Sequence, residues 1–204
     1  MSDNIAFYTM IALILAFAFA VYRYEKKKTT TREIALIATL AGISGVMRIP
    51  FAGLPNIQPT TFFVILTGYV FGGNVGFMVG VFSPLVTNMF IGQGPWTIWQ
   101  MLAWGLAGAS GTFLRVLPKK FFKIGFAVYG FLWGFIFDYI MNFWHWLFFI
   151  RPLTLQSFIM TNITSFYFDL LHGIGNFGFA WFLGKDVSNV LSRFKDKIYY
   201  KKID

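Results

Sequence analysis

Apolar runs long enough to cross a bilayer recur from one end of this chain to the other, and a water-soluble core has no room for so many. A membrane-spanning helix needs about 20 largely apolar residues. Seven stretches approach or exceed that length: 5–22, 33–49, 60–73, 75–92, 97–117, 123–150 and 157–184. They predict an all-α polytopic membrane protein. Of the 204 residues 57% are apolar and only 12% charged, which excludes a disordered chain or an ordinary soluble domain. There is no cysteine, so disulfide scaffolds, zinc fingers, iron–sulfur proteins and cysteine nucleophiles are excluded too.

The third run is short and contains Gly68, Gly72 and Gly73, which predicts a tight hairpin with the fourth around Gly73-Asn74. The first run has no basic residue before it and no small-residue cleavage site after it, so it reads as a permanent helix rather than a signal peptide.

A net charge of +9 would suit nucleic acid in a soluble protein, but here the 17 basic residues fall between the apolar runs. One set of connections carries Arg23, Lys26, Lys27, Lys28 and Arg32, then Arg115, Lys119, Lys120 and Lys123, then Lys185, Arg193, Lys195, Lys197, Lys201 and Lys202. The alternate connections, 50–59 and 93–96, are uncharged; 151–156 holds only Arg151, and Arg48 stands at the mouth of the first. Because cytoplasmic loops carry the Lys/Arg excess, seven crossings place the N-terminus outside and the C-terminus in the cytoplasm of a multi-pass plasma-membrane protein. No nucleic-acid partner is implied. Residues 186–202 alternate Val190, Leu191, Phe194 and Ile198 with basic positions, the pattern of a helix anchored on anionic membrane lipid or, alternatively, of a cytoplasmic docking surface.

Ionisable groups inside a membrane cost about 2.5–3.5 kcal/mol each on insertion scales, so each is a candidate functional residue. In the sixth run Asp138, Asn142 and His145 share one helix face; in the seventh Asn162, Asp169, His172 and Asn176 form a similar stripe. Counting from the loop between them puts Asp138 level with Asp169 and His145 level with Asn162. The two stripes either satisfy one another as helix–helix glue or line a ligand site. Spacing for a metal centre is missing, as is a Gly-x-Ser-x-Gly elbow, so neither metal nor hydrolase chemistry is expected.

The uncharged loops add a second set of candidates. Residues 49–60 pack three prolines with Asn56 and Gln58, and 92–100 carry Gln93, Trp96 and Gln100, with Asn88 one turn below. Carboxamides beside indoles suit a large neutral ligand that needs hydrogen bonds and flat apolar contact; indoles alone are also common interface anchors. The candidate binding residues are therefore Asn56, Gln58, Asn88, Gln93, Trp96, Gln100, Asp138, Asn142, His145 and Asn162.

The run from Asn56 to Gly72 (NIQPTTFFVILTGYVFG), followed by Gly76-Phe-Met-Val-Gly80, Asn88 and the run Gly92 to Gly108 (GQGPWTIWQMLAWGLAG), resembles the substrate-binding S component of energy-coupling factor (ECF) vitamin transporters. Within that family it is most similar to the subgroup assigned to cobalamin or its precursors. The resemblance covers about 32–184. It implies a six-helix core, 33–184, that binds a vitamin from outside and docks on a transmembrane coupling protein driven by two cytoplasmic ATPases. Around it lie an extra N-terminal helix with its basic linker, 1–32, and a basic amphipathic tail, 185–204. S components often dock through an Ala-x-x-x-Ala surface on the first core helix; here Ala38-x-x-x-Gly42 and Ala41-x-x-x-Gly45, with Ala35 before them, give a relaxed form of it. Small residues four apart are also a general close-packing signal. The resemblance implies no cofactor and no enzymatic activity, and the chain holds no Gly-x-x-x-x-Gly-Lys-Ser/Thr loop for ATP. The competing reading is a self-sufficient proton-coupled secondary transporter using Asp138 and Asp169, against which stands the lack of a visible inverted repeat.

Overall fold

The computed structural model describes residues 2–26 and 29–199. Lys27, Lys28, Lys201 and Lys202 of the basic clusters, with the rest of 200–204 in the expected tail, lie outside the described residues. Seven helices follow in order: α1 Ser2–Glu25, α2 Thr31–Arg48, α3 Thr60–Phe71, α4 Gly73–Ile91, α5 Trp96–Ser110, α6 Phe122–Phe149 and α7 Leu155–Tyr199. Short 3-10 segments sit at Ile49–Phe51, Gly111–Val116 and Lys119–Phe121. The all-α architecture is as expected, and no strand occurs among the described residues.

Among the described residues four segments are long and apolar enough to cross a membrane: Ile5–Tyr24, Thr31–Phe51, Gly73–Ile91 and Lys119–Phe149. The others depart from the even crossings read in the sequence. α3 has 12 residues, about 18 Å, which is well short of a hydrocarbon core. It is buried from Thr60 to Gly68 and again at Val70, so it is a short helix inside the bundle rather than a lipid-facing one. Its chain reverses at Gly72, whose φ of +108° only glycine adopts freely, and α4 starts at the next residue. The expected hairpin is present, one residue earlier than Gly73-Asn74. α5 and the 3-10 segment after it together span about 34 Å.

Backbone contact organises the α3–α4–α5 unit. Gly76 and Gly108 face each other so closely that a Cβ on either would run into the other's helix backbone, which is how α4 and α5 lie side by side. Across the molecule α6 and α7 make a second close pair; a Cβ on Gly134 would stand 2.5 Å from the amide nitrogen of Gly173. Between the two pairs lie the fully buried Phe62, Ile65, Leu66, Trp104 and Phe126.

α7 has 45 residues and runs unbroken through the junction expected at 184–185. Its last turns rest on the bundle: Leu191 is buried in the main core, with Val187 and Ile198 against it, while Val190 and Phe194 are exposed. Lys195 Nζ donates to the Val70 carbonyl at 2.9 Å, and Arg115 donates to the Tyr69 and Val70 carbonyls at 2.6 and 2.9 Å. Cations from distant parts of the chain thus cap the C-terminal carbonyls of α3, where the helix dipole favours positive charge.

α1 stands largely clear of this body. Ala6 packs with Trp99 and Leu147 near one end, and Val21 and Tyr24 touch the main core near the other. Phe7, Tyr8, Leu15 and Phe19 are exposed, an arrangement that lipid stabilises and water does not. The Tyr24 hydroxyl donates to Glu33 Oε1 at 2.6 Å, fixing α1 to the start of α2, where Thr30 caps the helix through the Glu33 amide.

Candidate functional site

The polar side chains read from the sequence come together as three hydrogen-bonded groups. The first begins in the loop after α2. Asn56 has φ +57°, a left-handed conformation that asparagine tolerates, and this turns its side chain into the bundle. Its Nδ2 donates to Asp138 Oδ2 at 3.0 Å and to the Phe168 carbonyl at 3.1 Å, and Gln58 Nε2 donates to Asn56 Oδ1 at 3.3 Å. Asp138 Oδ2 also lies 3.0 Å from Nδ1 of the fully buried His172, whose Nε2 lies 2.9 Å from Thr61 Oγ1; that oxygen in turn accepts from Trp104 Nε1 at 2.9 Å.

The direction of this chain follows from donor counting. An indole N–H can only donate, so Thr61 accepts from Trp104 and has its own proton to give. Giving it to His172 Nε2 makes that nitrogen the acceptor and puts the ring proton on Nδ1, facing Asp138. Asp138 Oδ2 then accepts from both His172 and Asn56. This assignment is inferred from the network, and it leaves every member satisfied. Phe137 closes the side, its ring edge-on to His172 at 5.1 Å and 4.6 Å from the ring of Trp104.

The second group lies in the α6–α7 seam. Asn142 Nδ2 reaches Ser165 Oγ at 2.7 Å, Asn162 Oδ1 at 3.3 Å and Asp169 Oδ2 at 3.4 Å, and Ser165 Oγ donates to Asp169 Oδ2 at 3.1 Å. The two stripes do face each other, yet the register differs from equal counting: Asp138 meets His172 where counting placed Asp169. His145 meets no member of the seam. It is exposed, with its ring stacked on Phe149 at 5.4 Å.

The third group joins α4 to α5. Asn88 Nδ2 donates to Gln100 Oε1 at 2.8 Å and Thr97 Oγ1 at 2.9 Å; Thr97 donates to Gln93 Oε1 at 3.0 Å, and Gln93 Nε2 to the Leu85 carbonyl at 3.0 Å. Trp96 meets Trp144 edge-on at 6.2 Å, tying this loop to α6. Sequence reasoning did not select Thr61, Trp104 and Ser165, and it named His172 and Asp169 in the polar stripe but left them out of the binding set. Thr61 and Trp104 stand in apolar helical runs with nothing local to single them out.

The five small residues proposed for docking divide between two faces of α2. Ala35 and Ala38 are exposed, and a Cβ on Gly42 would meet nothing within 4 Å. Ala41 is buried, and a Cβ on Gly45 would stand 2.7 Å from Val86 Cβ and 2.9 Å from the Ser83 carbonyl of α4. Ala38 and Ala41 line an apolar groove of about 440 Å³ walled by Val21 and Tyr24 of α1, Ile34 and Ile37 of α2, and Phe82 of α4. Among the described residues no group of three or more His, Asp or Glu side chains could hold a metal ion.

The chain is an all-helical polytopic membrane protein whose polar side chains pair within and between its helices. The chain belongs to the family described as ECF-type riboflavin transporter, S component, whose model matches residues 25–173. The match takes in α2 to α6 and nearly the first half of α7, and leaves out all of α1 but its last residue. Members are substrate-binding subunits of transporters. The chain is also 28% identical to a UPF0397 protein of Aliivibrio salmonicida over 47% of its length and 55% of the relative's. It is 31% identical to one of Vibrio atlanticus over 39% and 46%. The chain spans about half the length of the curated relatives it matches. No solved structure matches it.

Proposed function

We propose that this chain is the substrate-binding membrane subunit of an ECF-type ABC importer, capturing a vitamin at the end closed by loops 50–59 and 92–95. It delivers the vitamin inward when docked on a coupling protein and two cytoplasmic ATPases. The observation that carries the reading is Asn56: a side chain from a surface loop, not from a helix, completes the interior network at Asp138. A ligand carrying N–H groups can take over that acceptor, and the loop then opens or closes with occupancy. The vitamin proposed is cobalamin or a precursor, on the likeness of 56–72 and 92–108. Riboflavin, named in the family's description, is its competitor.

Mass spectrometry of small molecules retained through purification, followed by titration with cyanocobalamin and riboflavin, tests this directly. Retention of neither, with no binding of either, refutes the vitamin reading. A proton-coupled secondary transporter is the second reading, favoured by the buried Asp138–His172 pair. Uptake that persists without any ATPase module would establish it.

A further inference from the structure

Arg48, the last residue of α2, carries a charge that the protein does not neutralise. Its guanidinium turns into the bundle, with Cζ 5.2 Å from the ring centroid of Trp104, which is itself fully buried. A snorkelling arginine would point away from the core, toward the interface. Among the described residues Arg48 makes no hydrogen bond and no ion pair, and its Nη1 is buried without a partner. The two interior carboxylates are engaged elsewhere: Asp138 with His172 and Asn56, Asp169 with Ser165 and Asn142. Cation–π contact with Trp104 holds the guanidinium plane but leaves its five N–H donors to be matched.

Other buried polar side-chain atoms also lack partners. Ser44 Oγ, one turn before Arg48, is buried and unpartnered, as are Thr60 Oγ1, beside Thr61, and Trp99 Nε1, beside Gln100. Thr87 Oγ1 donates to the Gly45 carbonyl at 2.9 Å, which fixes α4 to α2 at this level; the next residue, Asn88, has its Oδ1 unpartnered. Trp144 Nε1 and both side-chain polar atoms of Asn176 are unpartnered as well; on α2 itself the unmatched groups are the Arg48 guanidinium and, one turn before it, the Ser44 hydroxyl, both able to donate. The complement of such donors is a molecule that carries acceptor oxygens.

We propose that Arg48 is a substrate-binding residue that receives an anionic or carbonyl oxygen group of the transported molecule over the face of Trp104, so that acceptor groups facing α2 select the substrate. This rests on the reading of the chain as a substrate-binding subunit. Guanidinium is suited to the task because its planar fork holds an oxygen pair.

The test uses the full chain in nanodiscs of zwitterionic lipid, titrated with riboflavin and with cyanocobalamin by tryptophan fluorescence. Native mass spectrometry follows what remains bound. Arg48→Met and Arg48→Gln remove the charge at similar volume. For the vitamin that binds the wild type, both variants are expected to raise Kd roughly 10- to 100-fold, the loss of a charged hydrogen bond, with an unchanged thermal midpoint. An unchanged Kd overturns the proposal. So does failure of both variants to fold, which would assign Arg48 to packing. A phospholipid retained by the wild type, displaced by neither vitamin and lost in Arg48→Met, would give the residue to a lipid headgroup and also overturn it. If the wild type binds neither vitamin, the underlying reading fails first, an outcome distinct from equal binding by wild type and variant.

Discussion

Nδ1 of His172 stands 3.0 Å from Oδ2 of Asp138, across the seam between α6 and α7. The same carboxylate oxygen accepts from Asn56, so a single atom joins two helices and a loop. Asp138→Ala should strand the His172 ring proton and the Asn56 amide together, lowering stability by about 2–4 kcal/mol. Asp138→Asn keeps an acceptor oxygen and should lose no more than about half as much. Unfolding in detergent followed by circular dichroism measures both; equal losses would mean the charge matters more than the acceptor. ATP-driven uptake should survive Asp138→Asn, whereas a proton carrier at this position would not.

Asn56 couples loop closure to the interior. Asn56→Gly keeps the left-handed backbone and deletes only the side chain, so the bonds to Asp138, Phe168 and Gln58 disappear without added strain. Hydrogen exchange should accelerate across 52–58 by at least about tenfold, while the buried amides of α3 keep their protection. Equal exchange in the two proteins would show that the prolines alone hold the loop.

Orientation is testable because the chain has no cysteine of its own. Cysteines placed at the exposed Gly53 or Gln93 should react with an impermeant thiol reagent on intact cells, and one at the exposed Lys119 only after lysis. The reverse pattern would invert the protein and remove the uptake reading.

The division of α2 into two faces predicts two kinds of variant. Gly42→Leu extends into open space and should leave binding and thermal midpoint unchanged while abolishing coupled transport. Gly45→Leu collides with Val86 and Ser83 of α4 and should cost stability, by about 1–3 kcal/mol or more. Transport retained in Gly42→Leu would move the docking face elsewhere on the molecule.

Much of the architecture was legible in the sequence because a bilayer allows few solutions. The apolar runs marked the start of every helix within a few residues, since a buried backbone must bond to itself, but 157–184 stopped 15 residues short of the end of α7 and 97–117 ran past α5 into the 3-10 segment. The glycines at 72 and 73 announced the α3–α4 reversal. The polar stripes of 138–145 and 162–176 were visible because intramembrane polar groups are rare. What the sequence could not decide was which stripe residue meets which. His145 and His172 look alike as residues in apolar helices, but only His172 reaches Asp138, because the close backbone approach at Gly134 and Gly173 sets the α6–α7 register. Nor does local sequence separate the short buried α3 from a crossing, or Ala38 from Ala41, since both distinctions are made by which helix packs alongside. Arg48 shows the limit most clearly. By charge and position it is one more loop-flanking arginine; only the placement of Trp104, 56 residues further along, turns it inward. Periodicity and hydropathy are local properties fixed by the chain, whereas partnership among buried polar groups depends on helix register and is settled by tertiary packing.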